Sequence, residues 1–290
     1  MLTRRDFLGK ALAGAAAGSV ALGSDALAAG RLAWPGPIGL ELYTVRQLLA
    51  QSPASTLKSV AAIGYKEVEV APYPNAAEIN RLIRADGLTA PSGYFNVPKN
   101  LDEMKKALAV AHGVFDVRYF VVGDNPKLDA DQWRRRADFF NECGRVSQQE
   151  AIQFCYHAHF HELASIDHTT GYDIMLKRCD PKYLKMEMDV FWVTYAGKDP
   201  LTYWRRYPGR FPLLHIKDMR RGVKISPQES PHGQNPFTAV GQGRIDWRRI
   251  FAHTQLAGVK HIFVEQDRCN RPPLEAIKVS YQYLKNLRLS

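Results

Sequence analysis

The sequence predicts an α/β chain in which eight parallel strands and their connecting helices close into a single (β/α)₈ barrel. Three observations predict it. Short apolar runs alternate with segments of helical periodicity, and a parallel strand pair requires such a crossover. The repeats are of similar length and continue almost to the C-terminus, which favours closure over an open sheet. The chain has 290 residues; without an N-terminal leader of about 28 residues it keeps roughly 260, an ordinary size for one such barrel.

Taken in order, the strand runs are 38–45, 67–71, 88–95, 117–122, 152–156, 184–190, 212–216 and 262–264. Helical periodicity marks 54–63, 76–85, 101–112, 131–149, 247–255 and a closing segment at 274–287. Gly64, Gly87, Gly113 and Gly258 stand where helices should stop before the next strand. Only residues 219–242 form a long insertion, rich in Gly, Pro, Ser and Gln, after the seventh strand. A long loop after a strand lies on the catalytic face of this architecture.

The leader is read from its own chemistry. Arg4-Arg5-Asp6-Phe7-Leu8-Gly9-Lys10 precedes an alanine-rich, mildly apolar run and then Ala26-Leu27-Ala28, a small-residue cleavage pattern. The run is too short and too rich in Ala and Gly to span a bilayer. It resembles a twin-arginine export signal, which assigns residues 1–28 to the signal, 29–290 to the barrel and the folded protein to the periplasm. The net charge is +10. Its basic residues are scattered apart from Arg134-Arg135-Arg136, which describes a solvated surface, and export argues against a nucleic-acid partner. Cys143, Cys155, Cys179 and Cys269 show no zinc-ligand spacing, and Cys155, inside an apolar strand, reads as a small packing residue.

The chemistry of a barrel sits where its strands end. Strand five ends Tyr156-His157-Ala158-His159-Phe160-His161-Glu162, strand six Glu187-Met188-Asp189, strand seven His215-Ile216-Lys217-Asp218 and strand eight Glu265-Gln266-Asp267. One strand-end histidine is an ordinary structural residue. Four consecutive strands ending in His, Asp and Glu point to one divalent metal ion, for which imidazole with carboxylate suits Mn, Zn, Co or Fe and carboxylate alone suits Mg.

With these ends in view the chain resembles the xylose-isomerase-like TIM barrel superfamily of sugar isomerases, epimerases and inosose dehydratases. Among its members it is similar to exported proteins of the sugar phosphate isomerase/epimerase type. The likeness runs from Gly39-Leu40-Glu41-Leu42-Tyr43 through Gly64-Tyr65-Lys66-Glu67-Val68-Glu69, Leu214-His215-Ile216-Lys217-Asp218 and Val240-Gly241-Gln242-Gly243-Arg244 to Val264-Glu265-Gln266-Asp267. It implies a metal held by Asp189, His215 and Glu265, with His157 at the strand-five position where a glutamate is usual. That departure puts a two-carboxylate epimerase mechanism in doubt. Ala158 replaces the asparagine common between the two histidines. Trp192 stands where epimerases place a substrate-contacting histidine; its indole could stack on a sugar ring or pack the rim.

Lys217 is read as a group that polarises a carbonyl or holds an anionic oxygen, with Asp218 orienting it or forming an ordinary loop ion pair. Glu41 and Tyr43 reach the open end in one strand register and are candidates for sugar hydroxyls. Strands one to four offer no further ligands, which sets aside a multi-metal nuclease. The resulting expectation is a metal-dependent isomerase or epimerase that removes a proton beside the carbonyl of a sugar or keto-sugar. Glu265, or the His157/His159 pair, is the base. The alternatives are a keto-sugar dehydratase or lyase and a non-catalytic sugar-binding barrel.

Overall fold

The computed structural model describes residues 30–124, 127–226 and 235–289, so the leader expected at residues 1–28 lies outside the described residues. Eight parallel strands form a closed barrel in chain order: β1 (Gly39–Glu41), β2 (Glu67–Val70), β3 (Thr89–Phe95), β4 (Tyr119–Val122), β5 (Gln153–His157), β6 (Leu184–Asp189), β7 (Leu213–Ile216) and β8 (His261–Val264). Closure is made by β8 against β1, with Gly39 opposite Phe263 and Leu40 opposite Val264. Each expected apolar run carries one of these strands, because a strand covered by helices outside and side chains inside must be apolar throughout.

Two cores result. The larger lies between strands and helices and includes Trp133, Trp204, Trp247 and Phe140. The smaller fills the barrel interior with Val121, Cys155, Leu213 and Phe263. Cys155 is therefore a packing residue, as expected. Gly39 permits this interior layer: a Cβ there would stand 2.5 Å from the Phe263 ring. Below the layer, His261 Nδ1 lies 2.9 Å from Glu67 Oε2. Above it the interior turns polar, and that boundary places the site.

Helices follow the expected periodicity, with instructive departures. The helix Ala130–Gln149 begins with a capping box between Asp129 and Gln132. Gly113 does not stop the preceding helix. Leu101–Val110 runs into a π-turn, Ala111–Phe115, and Asp116 ends it at φ 57°. The 247–255 segment breaks into Trp247–Phe251 and Thr254–Ala257. Sequence periodicity missed Gly171–Arg178, Val190–Tyr195 and Pro200–Arg206; the middle one is buried at five of its six positions, so no polar face marks it. The insertion after β7 starts as a ribbon, Asp218–Met219 against Phe237–Thr238, and Phe237 packs on Trp192 at the barrel mouth. All four cysteines are free. Among the described residues no helix is long and apolar enough to cross a membrane.

Candidate active site

Strand alternation sends every second side chain into the barrel. At the carboxyl ends this gathers Glu41, Glu69, His157, Glu187, Asp189, His215 and Glu265, all buried. Two of them, Glu41 and Asp189, also cap the helix that follows their strand. The Glu41 carboxylate accepts the Tyr43 N–H at 2.9 Å and turns the chain into a 3₁₀ helix. Asp189 Oδ1 accepts the Trp192 N–H at 3.0 Å and caps the helix Val190–Tyr195, so one residue positions both a ligand oxygen and the indole.

His215 is the hub. Its Nδ1 lies 2.9 Å from Glu265 Oε2, and its Nε2 lies 2.6 Å from Glu69 Oε2 and 3.2 Å from Glu187 Oε2. His157 Nδ1 is 3.0 Å from Glu187 Oε2, while its Nε2 stands 4.0 Å from Asp189 Oδ2. Ser92 donates to Glu69 Oε1 at 2.5 Å. The Lys217 ammonium lies 2.9 Å from Asp189 Oδ2, 2.5 Å from Glu265 Oε2 and 2.8 Å from Asp267 Oδ2.

This crowding divides the titratable groups. Burial, reinforced by the Glu69 charge, pushes Glu41 and Glu187 well above the usual carboxylate range. Burial also acts on Glu69, but the hydrogen bond and charge of His215 outweigh it and hold that carboxyl low. Glu265 is held low against its burial by Lys217 and His215. Asp189 rises to about 6, burial exceeding the attraction of Lys217. Burial brings His159 down to about 3, with Lys217 adding to the effect, and lowers His157 well below its ordinary value. His215 goes the other way, because Glu187 and Glu265 overcome its burial.

Six carboxyl groups thus face two cations, Lys217 and the His215 imidazolium. The surplus is relieved by protons on the raised carboxyls or by a bound cation. Three donor sets are close enough to hold one, each with ligand atoms within 4.8 Å of one another: Asp189/His215/Glu265, His157/Glu187/His215 and Glu41/Glu69/His215. Glu187 Oε1 and Glu41 Oε2 are buried without a hydrogen-bond partner. The residues therefore fit a divalent ion.

Above the cluster opens a cavity of about 460 Å³, lined on the β1 side by Glu41 and Tyr43, on the β5–β6 side by His157, His159, Phe160 and Trp192, and elsewhere by Tyr94, His215, Glu265 and Asp267. Residues 57–287, which carry seven of the eight strands and all of the cavity lining except Glu41 and Tyr43, match the family described as xylose isomerase-like TIM barrel. The chain belongs to that family.

Among relatives in it, an inosose dehydratase from Lacticaseibacillus casei is 26% identical over 174 residues, 57% of this chain and 57% of the dehydratase. The chain thus spans little more than half the length of the curated relatives it matches. A sugar phosphate isomerase/epimerase from Parabacteroides distasonis superposes with a TM-score of 0.74 at 23% identity, over 88% of this chain and 96% of that one. A xylose isomerase-like TIM barrel protein from Mycobacterium smegmatis, solved in complex with magnesium, gives a TM-score of 0.64 at 14% identity over 88% and 97%.

In this xylose isomerase-like barrel Asp189, His215 and Glu265 converge as one donor set, and His157 stands beside them in a second set with Glu187. His159, Trp192, Glu41 and Tyr43 line the cavity. Tyr43 leaves the strand, and its ring is covered on one face by the Arg46 guanidinium at 3.9 Å. Trp192 is built into an aromatic wall with Phe160 and Phe237, and its buried Nε1 lacks a partner.

Other residues differ from expectation. Asp218 does not reach the cavity or orient Lys217. Its Oδ1 accepts the N–H of Met219 and Ile245, and its Oδ2 accepts those of Gly241 and Gly243 and the Trp247 indole. Gly243 is required there, since a Cβ would lie 2.1 Å from Asp218 Oδ1. Asp267 takes the place at Lys217 instead. Lys217 itself is sunk among carboxylates and does not line the cavity. The first two strands are not silent, for β1 and β2 supply Glu41 and Glu69. The signal for Glu69 on β2, as for Glu187 on β6, was charge at alternate positions of an apolar strand, Glu67-Val68-Glu69-Val70 and Glu187-Met188-Asp189.

Proposed function

We propose that the chain is a metal-dependent enzyme that removes the proton beside the carbonyl of a sugar or keto-sugar. The observation that carries the reading is the buried Asp189/His215/Glu265 donor set beneath a cavity whose wall carries two proton-accepting groups. Glu265, at the end of β8, is held ionised, and His159, three strands away around the barrel, is held neutral. Both are in the form that accepts a proton, so Glu265 can take a proton and later return it, with His159 a second acceptor across the cavity.

Asp189, His215, Glu265 and His157 would hold the metal. When bound it supplies Lewis-acid stabilisation of the charge that develops on the carbonyl oxygen. Glu265 takes the α-proton. The His159 imidazole serves the second proton transfer on the far wall. Trp192 and Tyr43 offer ring faces to a sugar, and the raised Glu41 carboxyl can hydrogen-bond a hydroxyl.

Returning the proton to the neighbouring carbon gives isomerisation, and returning it to the other face of the same carbon gives epimerisation. Loss of a β-hydroxyl or β-alkoxy group gives elimination, with the proton that Glu265 has taken passed on to the departing oxygen. His157, where a second carboxylate would serve an epimerase, favours elimination as the second reading. The similarity to inosose dehydratases supports it.

The metal-loaded protein in D₂O is expected to wash deuterium into the carbon beside the carbonyl of its keto-sugar. Glu265→Gln should slow this at least about 10²-fold with metal content measured in parallel. Tight sugar and metal binding without exchange would favour a binding barrel instead. We also propose that residues 1–28 direct export to the periplasm by the twin-arginine route.

A further inference from the structure

The proposed chemistry makes no use of where Lys217 lies. Its side chain is 1% exposed, and its ammonium contacts oxygens of Asp189, Glu265 and Asp267 at 2.9, 2.5 and 2.8 Å. The first two are oxygens the metal needs. Asp189 Oδ1 is committed to the Trp192 N–H, which leaves Oδ2, the oxygen at Lys217, as its remaining donor. Glu265 Oε2 is hydrogen-bonded to His215 Nδ1 at 2.9 Å, and both residues belong to the Asp189/His215/Glu265 donor set. Lysine and metal therefore ask for the same lone pairs. Asp267 differs from the other two: it belongs to none of the three donor sets, its side chain is 27% exposed, and it stands on the cavity side of the ammonium.

We propose that Lys217 is an internal cation that competes with the divalent metal for Asp189 and Glu265, and that Asp267 is the seat it keeps when the metal enters. Lys217 is thus a positioning residue that sets metal affinity. In the metal-free protein it pairs with the Asp189, Glu265 and Asp267 carboxylates. In the loaded protein its charge beside the ion weakens binding and makes the metal exchangeable. The inference rests on the metal-dependent reading above.

The sign of one substitution separates this role from ordinary support. An outer residue that merely orients ligands costs about 10–100-fold in metal affinity when removed. A competing charge does the reverse. Mn²⁺ binding to the chelator-stripped protein, read by calorimetry and by the paramagnetic resonance of free Mn²⁺, provides the measurement. Lys217→Met is expected to bind Mn²⁺ at least about tenfold more tightly than the unaltered protein, the low end of such effects in magnitude and opposite in sign. Asp267→Asn, which leaves the lysine with no other seat, should bind more weakly. In the double variant the Asp267→Asn effect should largely vanish, since it acts through Lys217.

Unaltered protein that binds Mn²⁺ with Lys217→Met no tighter overturns the competition and leaves the metal reading standing. If Lys217→Met fails to fold, an Asp267→Asn affinity equal to that of the unaltered protein overturns it independently. No Mn²⁺ binding by any variant overturns both readings. Binding that appears only in Lys217→Met supports the competition and shows the lysine to be the resident cation.

Discussion

Replacing Asp218 with Asn tests whether this residue anchors a turn or touches substrate. In the fold its two oxygens accept five hydrogen bonds, two at Oδ1 and three at Oδ2. An amide has one acceptor. If its carbonyl keeps the Oδ2 side, the Met219 and Ile245 N–H groups face an NH₂ and lose their partner. Each buried donor left unsatisfied costs about 1–3 kcal/mol, and the three surviving bonds lose their charge assistance. The Ile245 contact is long at 3.3 Å and counts at the low end. A total of about 3–5 kcal/mol follows, which for a chain of this size lowers the melting midpoint by roughly 10 °C. Calorimetry and urea titration followed by tryptophan fluorescence measure it, while KM for the sugar should stay unchanged in the folded fraction. A loss under about 1 kcal/mol together with a raised KM would refute the anchor and restore Asp218 to the substrate.

Glu162 offers a pH test. It is buried, it accepts the Tyr156 hydroxyl and the His159 N–H, and burial raises its pKa from 4.5 to about 7. A carboxyl whose folded pKa exceeds its unfolded value contributes stability below the unfolded pKa and loses it as pH rises through the folded one. Glu162→Gln should therefore gain on the unaltered protein between pH 5 and 8, by up to about 3 kcal/mol; parallel urea melts that show a constant gap would refute the shift. Removing residues 1–28 should leave the melting midpoint unchanged, because an export signal adds no core, and Arg4→Lys with Arg5→Lys should retain the protein in the cytoplasm on cell fractionation. A lower midpoint in the truncated protein would show that the leader packs on the barrel.

Local physics made much of this protein legible in its sequence. Apolar runs that must be buried on both faces can hardly be anything but barrel strands, and all eight lie where the pattern put them. Asp189, His215 and Glu265 were picked out among the strand-end residues by the resemblance to the family; position alone could not separate them from Asp218, which turns away from the mouth. The short helix Val190–Tyr195 was not, since a helix buried all round has no stripe to read. Glu69 and Glu187 were passed over because a charge inside an apolar strand gives no sign, taken alone, of which layer of the interior it enters.

Only the tertiary structure decided the partners. Lys217 and Asp218 are adjacent in the chain, yet one turns inward to Asp189, Glu265 and Asp267 and the other outward to the Gly241–Gly243 turn, twenty-odd residues on. Adjacent residues at a strand end point to opposite sides, so sequence neighbours become strangers and residues from opposite ends of the chain become contacts. Charge states follow from those contacts and from burial. The same side-chain type is held ionised as Glu265 and driven toward its neutral form as Glu187. The residue types and their strand ends were written in the sequence; which carboxylate meets which cation is a property of the closed barrel, because distance and desolvation exist only once it has closed.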